Sequence, residues 1–186
     1  MGKLIYGFNT SLDGYIEDAN GSFDWSEPDE EVHRFWGEFE RSTGINLYGR
    51  RLYEMMQYWE TAHEQPNHSA YELEFARIWQ ASEKIVYSTT LDAPTTARTR
   101  IERAFDPAAV ARMKSEAQTD IAIGGAELAA HAIRAGLVDE YVQVVAPVIV
   151  GGGKPWLPDD VRVDLHLVEE RRIGDAVCLT YAADHA

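Results

Sequence analysis

Residues 120–156, DIAIGGAELAAHAIRAGLVDEYVQVVAPVIVGGGKPW, decide the fold. Ile121, Ala122 and Ile123 form an apolar run of strand type that meets Gly124 and Gly125, and helical spacing begins at once with Leu128, Ala132 and Ile133 on one face. Gly136 stops that helix and residues 141–150 return as a second apolar run, so the unit reads β-α-β with parallel strands. Paired glycines between a strand and a helix let a ligand reach bare backbone. There the free N–H groups and the helix dipole favour an anion such as a phosphate. This turn is the first candidate for a cofactor site, although a Gly-Gly pair also makes a simple tight connection and neither GxGxxG nor GxxxxGK(S/T) is present.

Similar strand ends recur upstream. Residues 44–49 make a short strand closed by Gly49, and a helical stretch follows with Arg50 and Arg51 on its first turn. Guanidinium groups bind phosphate bidentately, so this turn is a candidate for a phosphorylated cofactor; surface ion pairs are the alternative. Residues 84–88 form a third strand ending in Ser88, Thr89 and Thr90, hydroxyls that suit phosphate, ribose or a plain turn. Residues 3–8 read as a central first strand that leaves through NTSLDGYI, a loop with small polar groups, the carboxylate Asp13 and Gly14. Loops at the exits of central strands are where α/β sheets place ligands, while Asp-Gly alone is also a turn.

The remaining segments supply helices and an edge. Residues 26–29 match a capping box with Pro28 in the first turn, ahead of a helix with Val32, Phe35, Trp36 and Phe39 on one face that ends near Gly44. His33 falls among acids on its outer, solvated face. Ser69 and Glu72 cap a second helix that buries Leu73, Ala76 and Trp79, and Asp106 with Pro107 opens a third through Val110 and Met113. Residues 60–68 are a polar connection whose His63, Glu64 and His68 match no metal motif, so no metal site is expected. Residues 151–155, GGGKP, read as a bend, with a catalytic glycine turn as the alternative. Residues 163–171 and 176–181, joined by Gly174 and Asp175, form a closing antiparallel hairpin.

Composition bounds the function. A chain of 186 residues suits one α/β domain spanning 1–186. The net charge of −14 argues against nucleic acid and anionic membranes as partners, so a phosphorylated ligand needs a local positive site. The single cysteine, Cys178, cannot form an internal disulfide, and its neighbours Val177 and Leu179 place it in a buried strand. That usage, with an N-terminus that lacks a secretory pattern and no apolar run long enough for a bilayer, gives a cytoplasmic location as the expectation.

Taken in order, SLDGYI at 11–16, LYGRRLYE at 47–54, KIVYSTTL at 84–91 and the stretch 123–155 resemble the dihydrofolate reductase-like superfamily. The resemblance is closest to the reductase domain of the riboflavin deaminase-reductase and its stand-alone bacterial relatives. It implies a three-layer α/β fold, with a mixed, mostly parallel sheet, helices on both faces and a C-terminal antiparallel hairpin. It further implies NADPH bound across the strand ends, a small-molecule substrate and a homodimer. Gly49, Arg50, Arg51, Ser88, Thr89 and Thr90 would hold the adenosine end and its phosphates. Gly124, Gly125, Ala126, Glu127 and Leu128 would lie against the pyrophosphate, with a cis Gly124–Gly125 bond as in dihydrofolate reductases.

Asn9, Thr10 and Ser11 would begin the loop over the nicotinamide, with Asp13 as the catalytic group steering the proton. Tyr15, Asp24, Trp25 and Trp59 would wall the substrate. The region FDWSEPDEEVHRFW matches no acid of the kind that protonates a pterin, which points away from folate. The expected activity is hydride transfer to a C=N or C=O bond of a small pterin-, pyrimidine- or sugar-like compound. The alternative is an NADP or flat-ligand sensor or carrier without turnover.

Overall fold

The first strand sits near the middle of an eight-stranded sheet, and the rest of the chain is laid down on either side of it. The computed structural model of the protein describes residues 1–184. Its strands are β1 (Leu4–Thr10), β2 (Tyr15–Asp18), β3 (Thr43–Gly49), β4 (Glu83–Tyr87), β5 (Thr99–Glu102), β6 (Asp120–Gly124), β7 (Glu140–Val145), β8 (Gly153–Pro155), β9 (Leu165–Ile173) and β10 (Ala176–Ala183). The helices are α1 (Glu30–Ser42), α2 (Arg50–Met56), α3 (Tyr58–Thr61), α4 (Ala70–Ala81), α5 (Pro107–Glu116) and α6 (Ala126–Arg134). The sheet runs β5-β4-β3-β6-β1-β7-β10-β9, while β2 and β8 form a separate two-stranded ribbon. β5 through β7 are parallel, and β10 and β9 add antiparallel at one edge. This is the mostly parallel sheet with a terminal hairpin that the sequence predicts.

Period-two alternation assigns the two faces. Leu4 and Tyr6 pack with α5 and α6, whereas Ile5 between them packs with α1. Leu47 and Ile85 face the first of these layers, and Tyr48 and Val86 face α4. Trp79 on α4 is fully buried, and truncating so large a side chain to Ala costs about 3–5 kcal/mol. Cys178 is buried in β10 as expected, and burial pushes its thiol up to about 11. No helix among the described residues is long and apolar enough to cross a membrane.

Several local expectations are corrected. The cap of α1 is Asp29, whose carboxylate accepts the Val32 amide at 2.9 Å; Ser26 instead closes a 3-10 turn at Asp24–Ser26. The strand predicted over 141–150 stops at Val145, because Pro147 has no N–H for a ladder and the chain turns there. β5 lies in a segment with too few apolar residues to show a strand pattern. No peptide bond among the described residues is cis: Gly124–Gly125 is trans, and the turn is made by a positive φ of 95° at Gly125.

His33 is not solvated. It is buried, its ring 5.0 Å from Phe75, 5.3 Å from Tyr71 and 5.4 Å from Trp59, and Nε2 has no partner. Burial therefore lowers its pKa, against an opposing pull from Glu72. The sign follows: acidification charges the unfolded imidazole first, so this residue contributes a loss of stability as pH falls through about 6.5 towards the folded value. His33→Phe keeps an aromatic fit and removes that loss. The difference in melting temperature, variant minus wild type, should rise between about pH 7.5 and about pH 5.5; a constant difference would contradict the assignment.

Candidate active site

Two strand-glycine-helix turns lie side by side at the C-terminal edge of the sheet. β3 and β6 are neighbours with Tyr48 opposite Gly124, so the β3–α2 turn at Gly49 and the β6–α6 turn at Gly125 touch. A Cβ on Gly125 would sit 3.6 Å from the Gly49 nitrogen, and one on Gly124 would collide with Leu52 and press on the Tyr48 ring. Gly125 caps α6 without a side chain, and the first helical bond runs from Ala129 N–H to the Gly125 carbonyl. The amides of Ala126, Glu127 and Leu128 thus form the open first turn of that helix, pointing at the crevice.

Above these turns is a groove of about 450 Å³. It brings together Gly49, Arg50, Arg51, Ser88, Thr89, Thr90, Gly125, Ala126, Glu127 and Leu128, ten of the residues expected to bind a cofactor, while Gly124 lies buried just beneath. Arg50 reaches Glu54 at 2.9 Å across one helical turn, an exposed pair. The Ser88 hydroxyl accepts the amides of Thr90 and Leu91 at 3.2 and 3.0 Å, so it shapes the turn and leaves Thr89 and Thr90 exposed on the rim.

Sequence reasoning missed part of the lining. Arg103 holds the same turn by donating to the carbonyls of Ser88 and Leu91 at 3.1 and 2.7 Å. Lys154 bonds Glu127 at 2.8 Å, and with the field of Arg51 this keeps the Glu127 carboxyl below its usual range. Tyr87, Phe105 and His131 form an aromatic side, with Phe105 stacked on His131 at 5.8 Å and tilted against Tyr87 at 5.6 Å. Lys154 sits in the GGGKP motif; Arg103 and Phe105 carried no motif at all.

The other expected residues lie outside this groove, and all but Trp59 belong to the chain leaving β1. The Asn9 amide oxygen accepts from Trp36 Nε1 at 2.7 Å, Thr10 Oγ1 accepts from Gln143 Nε2 at 2.9 Å, and buried Ser11 accepts the Tyr15 amide at 3.0 Å. Asp13 accepts the amides of Val150 and Gly151 at 3.1 and 2.8 Å, one on each oxygen. The Ser11 hydroxyl and these amides hold its carboxyl below the ordinary carboxylate range, so it is ionised at neutral pH. Asp24 and Trp25 stand on the 3-10 turn, which the Asn9 amide ties to β1 through the Ser26 carbonyl at 3.4 Å. Trp59 is half-buried, edge-on to Phe75 at 4.8 Å between α1 and α4.

The family model of the RibD C-terminal domain matches residues 2–179. The chain belongs to that family. It is 29% identical over 177 residues to the uncharacterized protein YyaP of Bacillus subtilis (strain 168), covering 94% of this chain and 91% of that one. Among solved structures, a putative riboflavin biosynthesis protein from Shewanella sp. PV-4 is 18% identical with a TM-score of 0.76, covering 98% of this chain and 99% of that one. A dihydrofolate reductase from Enterococcus faecalis, complexed with NADP(H) and RAB-propyl, is 14% identical with a TM-score of 0.58, covering 99% and 98%. Family and fold are both reductase-like.

Asp13 gives a local test of this geometry. In Asp13→Ala the Val150 and Gly151 amides lose their acceptor, so their hydrogen exchange should accelerate while that of Ile123 in β6 stays unchanged. Unaltered exchange at both amides would show that the carboxylate does not hold the loop.

Proposed function

We propose that the chain is an NADPH-dependent reductase passing hydride to a C=N or C=O bond of a small pterin-, pyrimidine- or sugar-like substrate. The observation that carries this reading is the contact between the Gly49 and Gly125 turns beneath a groove rimmed by Arg50, Arg51, Arg103 and Lys154. On a chain of net charge −14, a basic groove over open helix amides suits a polyanionic ligand of nucleotide size. The Enterococcus faecalis neighbour of like fold was solved with NADP(H), which supports the same choice of cofactor.

In this reading the amides of Ala126, Glu127 and Leu128 hold the diphosphate. Arg50 and Arg51, with Thr89 and Thr90, hold the phosphorylated adenosine end, and Tyr87 and Phe105 flank its base. The cofactor supplies the hydride. The chain's own part is to bind, orient and exclude water. Asp13, ionised and doubly occupied, steers the chemistry by anchoring residues 150–151 over the exit of β1, and any proton it directs passes through water. Asn9 and Trp36 fix that exit, and Tyr15, Asp24, Trp25 and Trp59 wall the substrate. The sensor or carrier reading draws on the same observation about Asp13, since a carboxylate held ionised is a poor proton donor.

Fluorescence titration with NADPH and NADH tests the reading. NADPH should bind more tightly than NADH, and Arg51→Glu should weaken NADPH by about tenfold or more, as expected for losing a charge-assisted contact. Oxidation of bound NADPH by any member of a pterin, pyrimidine and quinone panel identifies the reductase, and tight binding without oxidation identifies the sensor. No NADPH binding at all would refute both.

A further inference from the structure

We infer that the substrate half of this site takes a flat ring that bears no phosphate and is neutral or cationic; this rests on the NADPH reading and narrows it. The cations that line the groove, Arg50, Arg51, Arg103 and Lys154, all stand on the cofactor half. The other half is built by the chain leaving β1, and between Leu4 and His33 the sequence holds eight carboxylates and no lysine or arginine. Contacts place that segment at the same edge of the sheet. Leu12 N–H bonds the Val148 carbonyl at 2.7 Å, and the Asn9 side chain links the Ser26 carbonyl to the Trp36 indole. The loop facing it, residues 146–153, carries no charged side chain.

Cations that stand beside this stretch are already matched. Arg34 donates to Glu30 at 2.7 Å. Arg172 lies at the hairpin turn beside Asp29, Glu31 and Asp175, three carboxylates to one guanidinium. Lys154 is bonded to Glu127 and stands opposite Glu17 in the β2–β8 ribbon. A phosphate monoester placed beyond the nicotinamide would therefore meet like charge and find no fork of N–H donors to replace its water, which is selection by repulsion as much as by fit.

What the same edge does offer is apolar surface. Leu12 is 63% exposed, Ile149 70% and Phe23 40%, all on loops, and Trp25 is half-buried on the 3-10 turn that follows Phe23. Such groups pack a planar ring and leave charge unanswered. The phosphoribosyl pyrimidine of riboflavin synthesis is thus the wrong class of substrate for this chain, although the family is the same.

The test uses the full chain saturated with NADP+, so that the basic groove is filled, and a matched pair of probes, riboflavin and riboflavin 5′-phosphate, read by calorimetry. Riboflavin should bind at least about tenfold more tightly than its phosphate, and the double variant Asp24→Lys, Glu27→Lys should narrow that ratio. Equal or tighter binding of the phosphate, binding of neither probe, or a ratio unmoved by the double variant would overturn the inference. Ribose 5-phosphate is the control: it should show no binding to the NADP+-loaded chain, and a site for it there would also overturn the inference. Failure of the underlying cofactor reading is seen separately, as absence of NADP+ binding before any probe is added.

Discussion

The contact between two glycine turns constrains everything else at this edge of the sheet. Because β3 and β6 are hydrogen-bonded neighbours, the connections that leave them pass close together: a Cβ at Gly124 would strike Leu52 and press on Tyr48, and Gly125 turns the chain with a positive φ in contact with Gly49. Bare backbone solves the packing problem. It also leaves the first turn of α6 uncovered, with α2 opening beside it, so the same packing exposes the helix amides that the proposed reading uses to hold an anion. At Gly125 a Cβ would make only ordinary contact with Gly49, and the cost there is the backbone's own, about 1–3 kcal/mol for a residue with a Cβ held at φ 95°.

Charge completes what geometry starts. The chain is strongly acidic overall, yet four cations converge on one groove from α2, the segment after β5 and the β8 strand. Elements distant in sequence supply them, and several do structural work as well: Arg103 staples the turn after β4, and Lys154 ties the ribbon to α6. Asp13 is the mirror image on the other half, an anion whose partners are loop amides and which therefore needs no cation. This edge of the sheet is divided into a basic half and an acidic one; in the proposed reading the cofactor takes the first and the substrate the second.

The main strands and most of the groove residues were legible because they depend on short-range chemistry. Apolar runs closed by glycine, the Ser69 and Glu72 box on α4 and the Gly174 turn each declare themselves within a few residues. What stayed hidden depends on partners far away in sequence. His33 looks solvated beside Glu30, Glu31 and Arg34, and only the approach of α3 and α4 buries it. Arg103 and Phe105 follow a strand too short and too polar to be recognised, and the run from Tyr141 onward hides a turn that Pro147 imposes. The expected cis bond gave way to a positive φ at Gly125, a conformation that glycine adopts at little cost.

The central claim is that open backbone at the start of α6 grips a diphosphate, and amide chemical shifts report on it directly. On titrating the 15N-labelled chain with NADP+, the Gly125, Ala126, Glu127 and Leu128 amides should show the largest shifts, with Gly49 beside them. Shifts confined to other parts of the surface, with those five amides unmoved at saturation, would contradict the account.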